Sequence, residues 1–121
     1  RAPSVIPRPH WKVFKDTKIY TRDGLRTYVQ AGIYRNLGAI ENQSERVMLW
    51  VRNKFLLDPS DGGGYIVHGH TPMENGVIPM QKPNRINLDT GCVVNGRLTA
   101  AVFNDEDIEP IMILQDKHWP C

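Results

Sequence analysis

Cysteine is scarce in this sequence: Cys92 and Cys121 are the two in 121 residues. A disulfide framework or a zinc knuckle needs more, so a reducing, cytoplasmic compartment is the expectation. Runs of one charge are missing as well. No five or six lysines and arginines stand together and the formal net charge is +2, so no nucleic-acid partner is expected. Long hydrophobic runs are absent too. No stretch reaches the ~18 apolar residues of a membrane span, and neither a signal peptide nor a membrane partner is expected. A starting methionine is also missing: the first residue is Arg1, and the chain is expected to have been cut, processed or excerpted at its front. What is present is ordinary for a globular chain, with 40% hydrophobic and 23% charged residues. A chain of this size buries roughly two-thirds of the surface its unfolded form exposes, enough for one domain.

Pro3, Pro7 and Pro9 make residues 1–12 read as an extended lead-in without a helix. Two β-rich runs then flank Asp23-Gly24, a hairpin signal. Residues 34–40 read as a loop. One main helix is expected over 42–57, because Asn42 and Glu45 form a capping box and Val47, Met48, Val51 and Phe55 share a face. Asp58-Pro59 stops it, and 60–64 form a turn. Strands are expected over 64–68, 84–88, 92–94, 97–103 and 110–115. Asn95-Gly96 reads as a second hairpin turn and 104–107 as a third. The body thus covers 13–115, with 116–121 as a tail, and no repeat or low-complexity tract interrupts it.

Three of these strands, around Tyr65-Ile66-Val67, Leu98 to Phe103 and Ile111 to Leu114, are nearly continuous apolar runs. Such strands are usually covered on both faces, whereas a half-exposed sheet alternates. One helix of about four turns cannot cover two faces. A missing half of the domain or a partner chain is expected to complete the cover.

The stretch richest in chemistry is Val67-His68-Gly69-His70-Thr71-Pro72. A strand ending in Gly and His delivers imidazoles to the carboxyl edge of a sheet, where ligands of α/β proteins gather. Imidazole is also the commonest protein ligand for transition metals. Both histidines are equally readable as groups that bond the backbone at a strand end, and two are too few to fix a metal alone. Arg52 lies on or beside the apolar stripe of the helix, where an arginine snorkels from the core edge or clamps a phosphate. Asp89, in Asn87-Leu88-Asp89-Thr90-Gly91, closes a strand as turn chemistry or orients a histidine. Asp105-Glu106-Asp107 reads as a solvated loop, and Trp11, Trp50 and Trp119 as packing residues.

In this order these pieces resemble the phosphoprotein phosphatase branch of the calcineurin-like metallophosphoesterases. The similarity is to its bacterial members, of the phage lambda and symmetrical diadenosine tetraphosphatase types. It runs from about Val13 to Gln115. Tyr28-Val29-Gln30-Ala31-Gly32-Ile33 matches a strand that usually ends in histidine before Ala-Gly. Leu49-Trp50-Val51-Arg52 matches the helix with a substrate-binding arginine, 67–72 the last metal-binding motif, and 86–91 the strand behind it. The resemblance implies an α/β (α+β) fold, the β-rich C-terminal half of a four-layer αββα sandwich. It implies His70 as a metal ligand, Arg52 as the phosphate clamp, His68 as a neighbour shaping the site, and Asp89 as support at the sheet edge. It also implies a dinuclear centre of manganese, iron or zinc that activates water for attack on phosphorus.

Two departures qualify what this chain does alone. Gln30 stands at the family's histidine position, and a carboxamide is a poorer ligand than imidazole. The Gly-Asp-x-His-Gly, Gly-Asp-x-x-Asp-Arg-Gly and Gly-Asn-His-Glu motifs are absent, so the chain gives part of a site and is expected to hold few metal ligands, or none. Metal-dependent hydrolysis of phosphorylated proteins or small phosphoesters is the leading expectation. A catalytically inactive module within a larger assembly and a diadenosine polyphosphate hydrolase are the alternatives.

Overall fold

The computed structural model describes residues 6–73 and 80–116. Cys121, Trp119 and almost all of the expected tail lie outside the described residues.

The first element corrects the reading of residues 8–12 as part of an extended lead-in. Helix α1 spans Arg8–Asp16, with Pro7 as its N-cap and a proline in its first turn. Proline is tolerated there because its missing N–H would have had no intrahelical partner. The helix buries none of its residues.

Strands β1 (Tyr20–Arg22) and β2 (Arg26–Val29) form the hairpin expected around Asp23-Gly24. Asp23 Oδ1 accepts from the backbone N–H groups of Leu25 and Arg26 at 3.2 and 2.9 Å, which closes the turn. Strand β3 (Tyr65–His68) runs parallel to β2, and β5 (Arg85–Asn87) runs parallel to β3. Strand β4 (Met80–Lys82) lies antiparallel on β5, so the order is β1-β2-β3-β5-β4. All four residues of β3 are buried, as its unbroken apolar run requires of a central parallel strand.

The single helix expected over 42–57 is two. Helix α2 covers Glu45–Trp50 and α3 covers Asn53–Leu56, separated by Val51 in an extended conformation and Arg52 at φ −126°, ψ −115°. The cap is Ser44, whose hydroxyl accepts from Val47 N–H at 3.3 Å, and Asn42 ends a short 3-10 turn instead. On either side of the break Met48, Val51 and Phe55 still enter one core with Val29, Ala31, Ile33, Ile40 and Ile66.

The strand expected over 92–94 is a helical turn, α4 (Cys92–Asn95), between Gly91 and Gly96 in left-handed conformations. Val93 and Val94 point to solvent, so their β-propensity has no sheet face to fill. A second sheet consists of β6 (Leu98–Val102) and β7 (Met112–Asp116), antiparallel. The cover expected for these apolar runs is absent among the described residues: Leu98, Val102, Met112 and Leu114 are all exposed. The described residues thus form a mixed α/β fold with two sheets and short helices, a smaller architecture than a four-layer sandwich.

Gly32 shows how tightly the core closes over the first sheet. It sits at φ +146°, and an added Cβ would collide with the Phe55 ring. Gly32→Ala is therefore expected to destabilise the fold by about 2–3 kcal/mol, measured as a lower urea midpoint with unchanged slope.

Candidate functional site

Strands β2, β3 and β5 run in one direction, so their carboxyl ends share one edge of the sheet. Gln30 follows the first, Gly69-His70 the second and Leu88-Asp89 the third. Backbone bonds hold these ends together: Gly69 N–H donates to Gln30 O at 2.9 Å and Leu88 N–H to His68 O at 2.8 Å. Gln30, His68, His70 and Asp89 all line one cleft of about 970 Å³, together with Lys18 and Tyr20, the latter paired with Val29 at the same end of β2. The sequence placed these four residues 59 positions apart; topology makes them neighbours.

His70 has a left-handed backbone, φ 69°, uncommon for a residue with a Cβ. Thr71 N–H donates to Gly69 O at 2.9 Å, so the chain turns sharply at the imidazole. Its Nδ1 lies 3.3 Å from the Gln30 side-chain amide, and its Nε2 is buried without a hydrogen-bond partner among the described residues. If the amide N–H donates to Nδ1, the ring proton sits on Nε2. With the amide turned so that its oxygen accepts Nδ1–H, the Nε2 lone pair is open, as a metal-ligating histidine requires. Gln30 thus fixes the ring that the sequence singled out.

His68 is 4% exposed and stands edge-on to Phe55, ring centres 4.9 Å apart. Burial pushes its imidazole down to about 4, with the charges of Arg85 and Arg35 acting the same way and a bond to Gly69 O opposing. It is a neutral group built into the floor of the cleft. Asp89 does the turn chemistry: its Oδ1 accepts from Gly91 N–H at 3.0 Å while its N–H donates to Asn87 Oδ1 at 3.0 Å. Arg52 is exposed at the break between α2 and α3 and does not snorkel along the core. It is not among the residues lining the cleft.

Three contributors escaped the sequence reading. Asn87, 1% exposed, donates to Thr71 O at 2.8 Å and so ties the histidine turn to β5. Arg35 and Arg85 are buried beside the Phe55 ring. Arg35 donates to Gly62 O and Asn84 O, and Arg85 donates to Phe55 O and Asp58 O. Each partner lies 27 to 49 residues away, beyond what periodicity can register. Trp50 corrects the packing assignment: it is 66% exposed and meets His70 edge-on, ring centres 5.6 Å apart.

The residues do not fit a dinuclear metal centre by themselves. Among the described residues no three His, Cys, Asp or Glu side chains gather closely enough to hold an ion. His68 Nε2 and His70 Nε2 are both buried imidazole nitrogens without a hydrogen-bond partner among the described residues, two atoms of a ligating type and no more. Also among the described residues, no helix is long and apolar enough to cross a membrane.

The class that fold and site define is an α/β chain with imidazole, carboxamide and carboxylate groups at the carboxyl ends of parallel strands. Part of it is similar to the asymmetrical bis(5'-nucleosyl)-tetraphosphatase PrpE of Geobacillus sp. (strain WCH70), 44% identical over 52 residues, and to that of Anoxybacillus flavithermus (strain DSM 21510 / WK1), 49% identical over 39. The matched segments are 43% and 32% of this chain but 19% and 15% of those relatives, so the chain spans about a fifth of their length or less. No family model and no solved structure matches the chain. The similarity supports the calcineurin-like phosphoesterase superfamily and nothing finer.

The buried neutral His68 carries a pH signature. Its folded pKa of about 4 lies below the ordinary value of 6.5, so its contribution is fully present above pH 6.5 and is lost as pH falls toward 4. Stability is expected to drop by about 3 kcal/mol across that window. Urea titrations of the protein and of His68→Gln check this, the variant showing a flatter profile.

Proposed function

We propose that this chain forms the carboxyl-edge part of a phosphate-ester hydrolase site. The observation that carries the reading is the convergence of Gln30, His70 and Asp89 on one cleft at the ends of three parallel strands. The partial similarity to two tetraphosphatases supports it. His70 is the one metal ligand we assign to this chain, through Nε2, with Gln30 orienting the ring. The remaining ligands of a manganese, iron or zinc pair come from outside the described residues. What the chain's own groups do is bind and orient phosphate. Arg52 supplies a planar guanidinium that matches two phosphate oxygens at once. His68, neutral and buried, keeps the floor of the cleft free of charge. Between phosphorylated proteins and dinucleoside polyphosphates, the activity printed in the relatives' names favours the second.

A specific observation favours the alternative of an inactive module. The Gln30 amide stands 3.3 Å from His70 Nδ1, where a second imidazole would strengthen a metal site. Hydrolysis of p-nitrophenyl phosphate and diadenosine tetraphosphate in added manganese separates the two readings. Turnover is expected in a complete form that carries the remaining ligands, with His70→Ala abolishing it and Arg52→Ala lowering kcat/KM about 100-fold. A folded protein with no turnover on either substrate would leave the scaffold reading standing. Turnover that survives His70→Ala would remove His70 from the site.

A further inference from the structure

The most conspicuous group beside the cleft that the proposed chemistry leaves unused is an indole. Trp50 is the last residue of α2, where the chain leaves the helix so that Val51 can turn into the core. That turn leaves the largest side chain of the helix two-thirds open to solvent, at 66% exposure. Its neighbour is His70, which lines the cleft, and the two rings meet at an interplanar angle of 89°. The two rings are perpendicular and not stacked, and the indole keeps ring surface open to solvent. Arg52 follows two residues later, at most ~7 Å along the chain. A planar ring beside the imidazole assigned to the phosphate site matches the two ends of a nucleotide, a flat base and a phosphate joined by a ribose. A phosphorylated serine or threonine offers nothing flat to the indole.

We infer that Trp50 is a platform on which the base of a nucleoside polyphosphate stacks while its phosphates enter the cleft beside His70. The inference rests on the phosphate-ester reading above and names the side chain that would hold the base of a nucleotide substrate. Every base has a π-face, so the platform selects nucleotides as a class and discriminates weakly among bases.

The test compares ATP with inorganic tripolyphosphate, which has the phosphates and no base, by isothermal titration calorimetry on the whole chain. ATP is expected to bind about tenfold more tightly than tripolyphosphate, in line with one aromatic–base stack. Trp50→Ala is expected to bring the ratio of the two affinities close to one. Trp50→Phe keeps a ring and is expected to retain part of the preference, which separates stacking from any effect on folding. Equal affinities in the unaltered protein, or a ratio unmoved by Trp50→Ala, would overturn the platform and leave the phosphate reading intact. Binding of neither ligand would overturn both.

Discussion

The structure depends on what is packed around the Phe55 ring. Phe55 is fully buried, and four parts of the chain meet on it: the Gly32 backbone, the guanidinium groups of Arg35 and Arg85, and the edge of His68. An aromatic face attracts a cation, and removing water from around it strengthens the attraction. Two buried arginines are acceptable there because their N–H groups also donate to backbone carbonyls of the loop around 58–64 and of Asn84. The result ties α3, that loop and β5 to one ring. It also sets the depth of His68, and through Gly69 the position of His70.

A second anchor lies at the opposite end of β2. Arg26, 3% exposed, pairs with Asp23 at 2.8 Å and donates to Asn104 O and Asp107 O, so it clamps the turn of the second sheet to the first. Phe103 lies under the same guanidinium at 4.6 Å and against Tyr28. The Tyr28 hydroxyl is pushed up to about 12, by burial and then by its bond to Asp23. This second anchor, with the bond between the Thr90 and Thr99 hydroxyls, holds the β6–β7 hairpin in place although its outer apolar face has no cover among the described residues.

Part of the sheet was legible in local sequence. Val-His-Gly-His after an apolar run marked a strand end, and the hairpin around Asp23-Gly24 was written in turn chemistry. The errors have physical causes. The capping signal at Asn42 lost to Ser44 because the latter's hydroxyl reaches Val47 N–H. The helix breaks after Trp50, with Val51 extended, yet Met48, Val51 and Phe55 still enter the shared core that their spacing pointed to. Valines at 93 and 94 followed β-propensity on paper, but two left-handed glycines enclosed them in a helical turn.

The sequence alone determined the hairpin turn at Asp23-Gly24, the apolar run of β3 and the chemical types at its end, because these depend on neighbours within a few residues. It determined that Gln30 stands before Ala31-Gly32 and that the imidazoles come as a pair. The tertiary structure decided that Gln30 touches His70, that Asn87 holds the histidine turn, that Arg35 and Arg85 are buried on one ring, and that Trp50 faces solvent. Each of those facts is a contact or an exposure set by segments tens of residues apart. Such relations are fixed by strand order and packing, which no local pattern encodes.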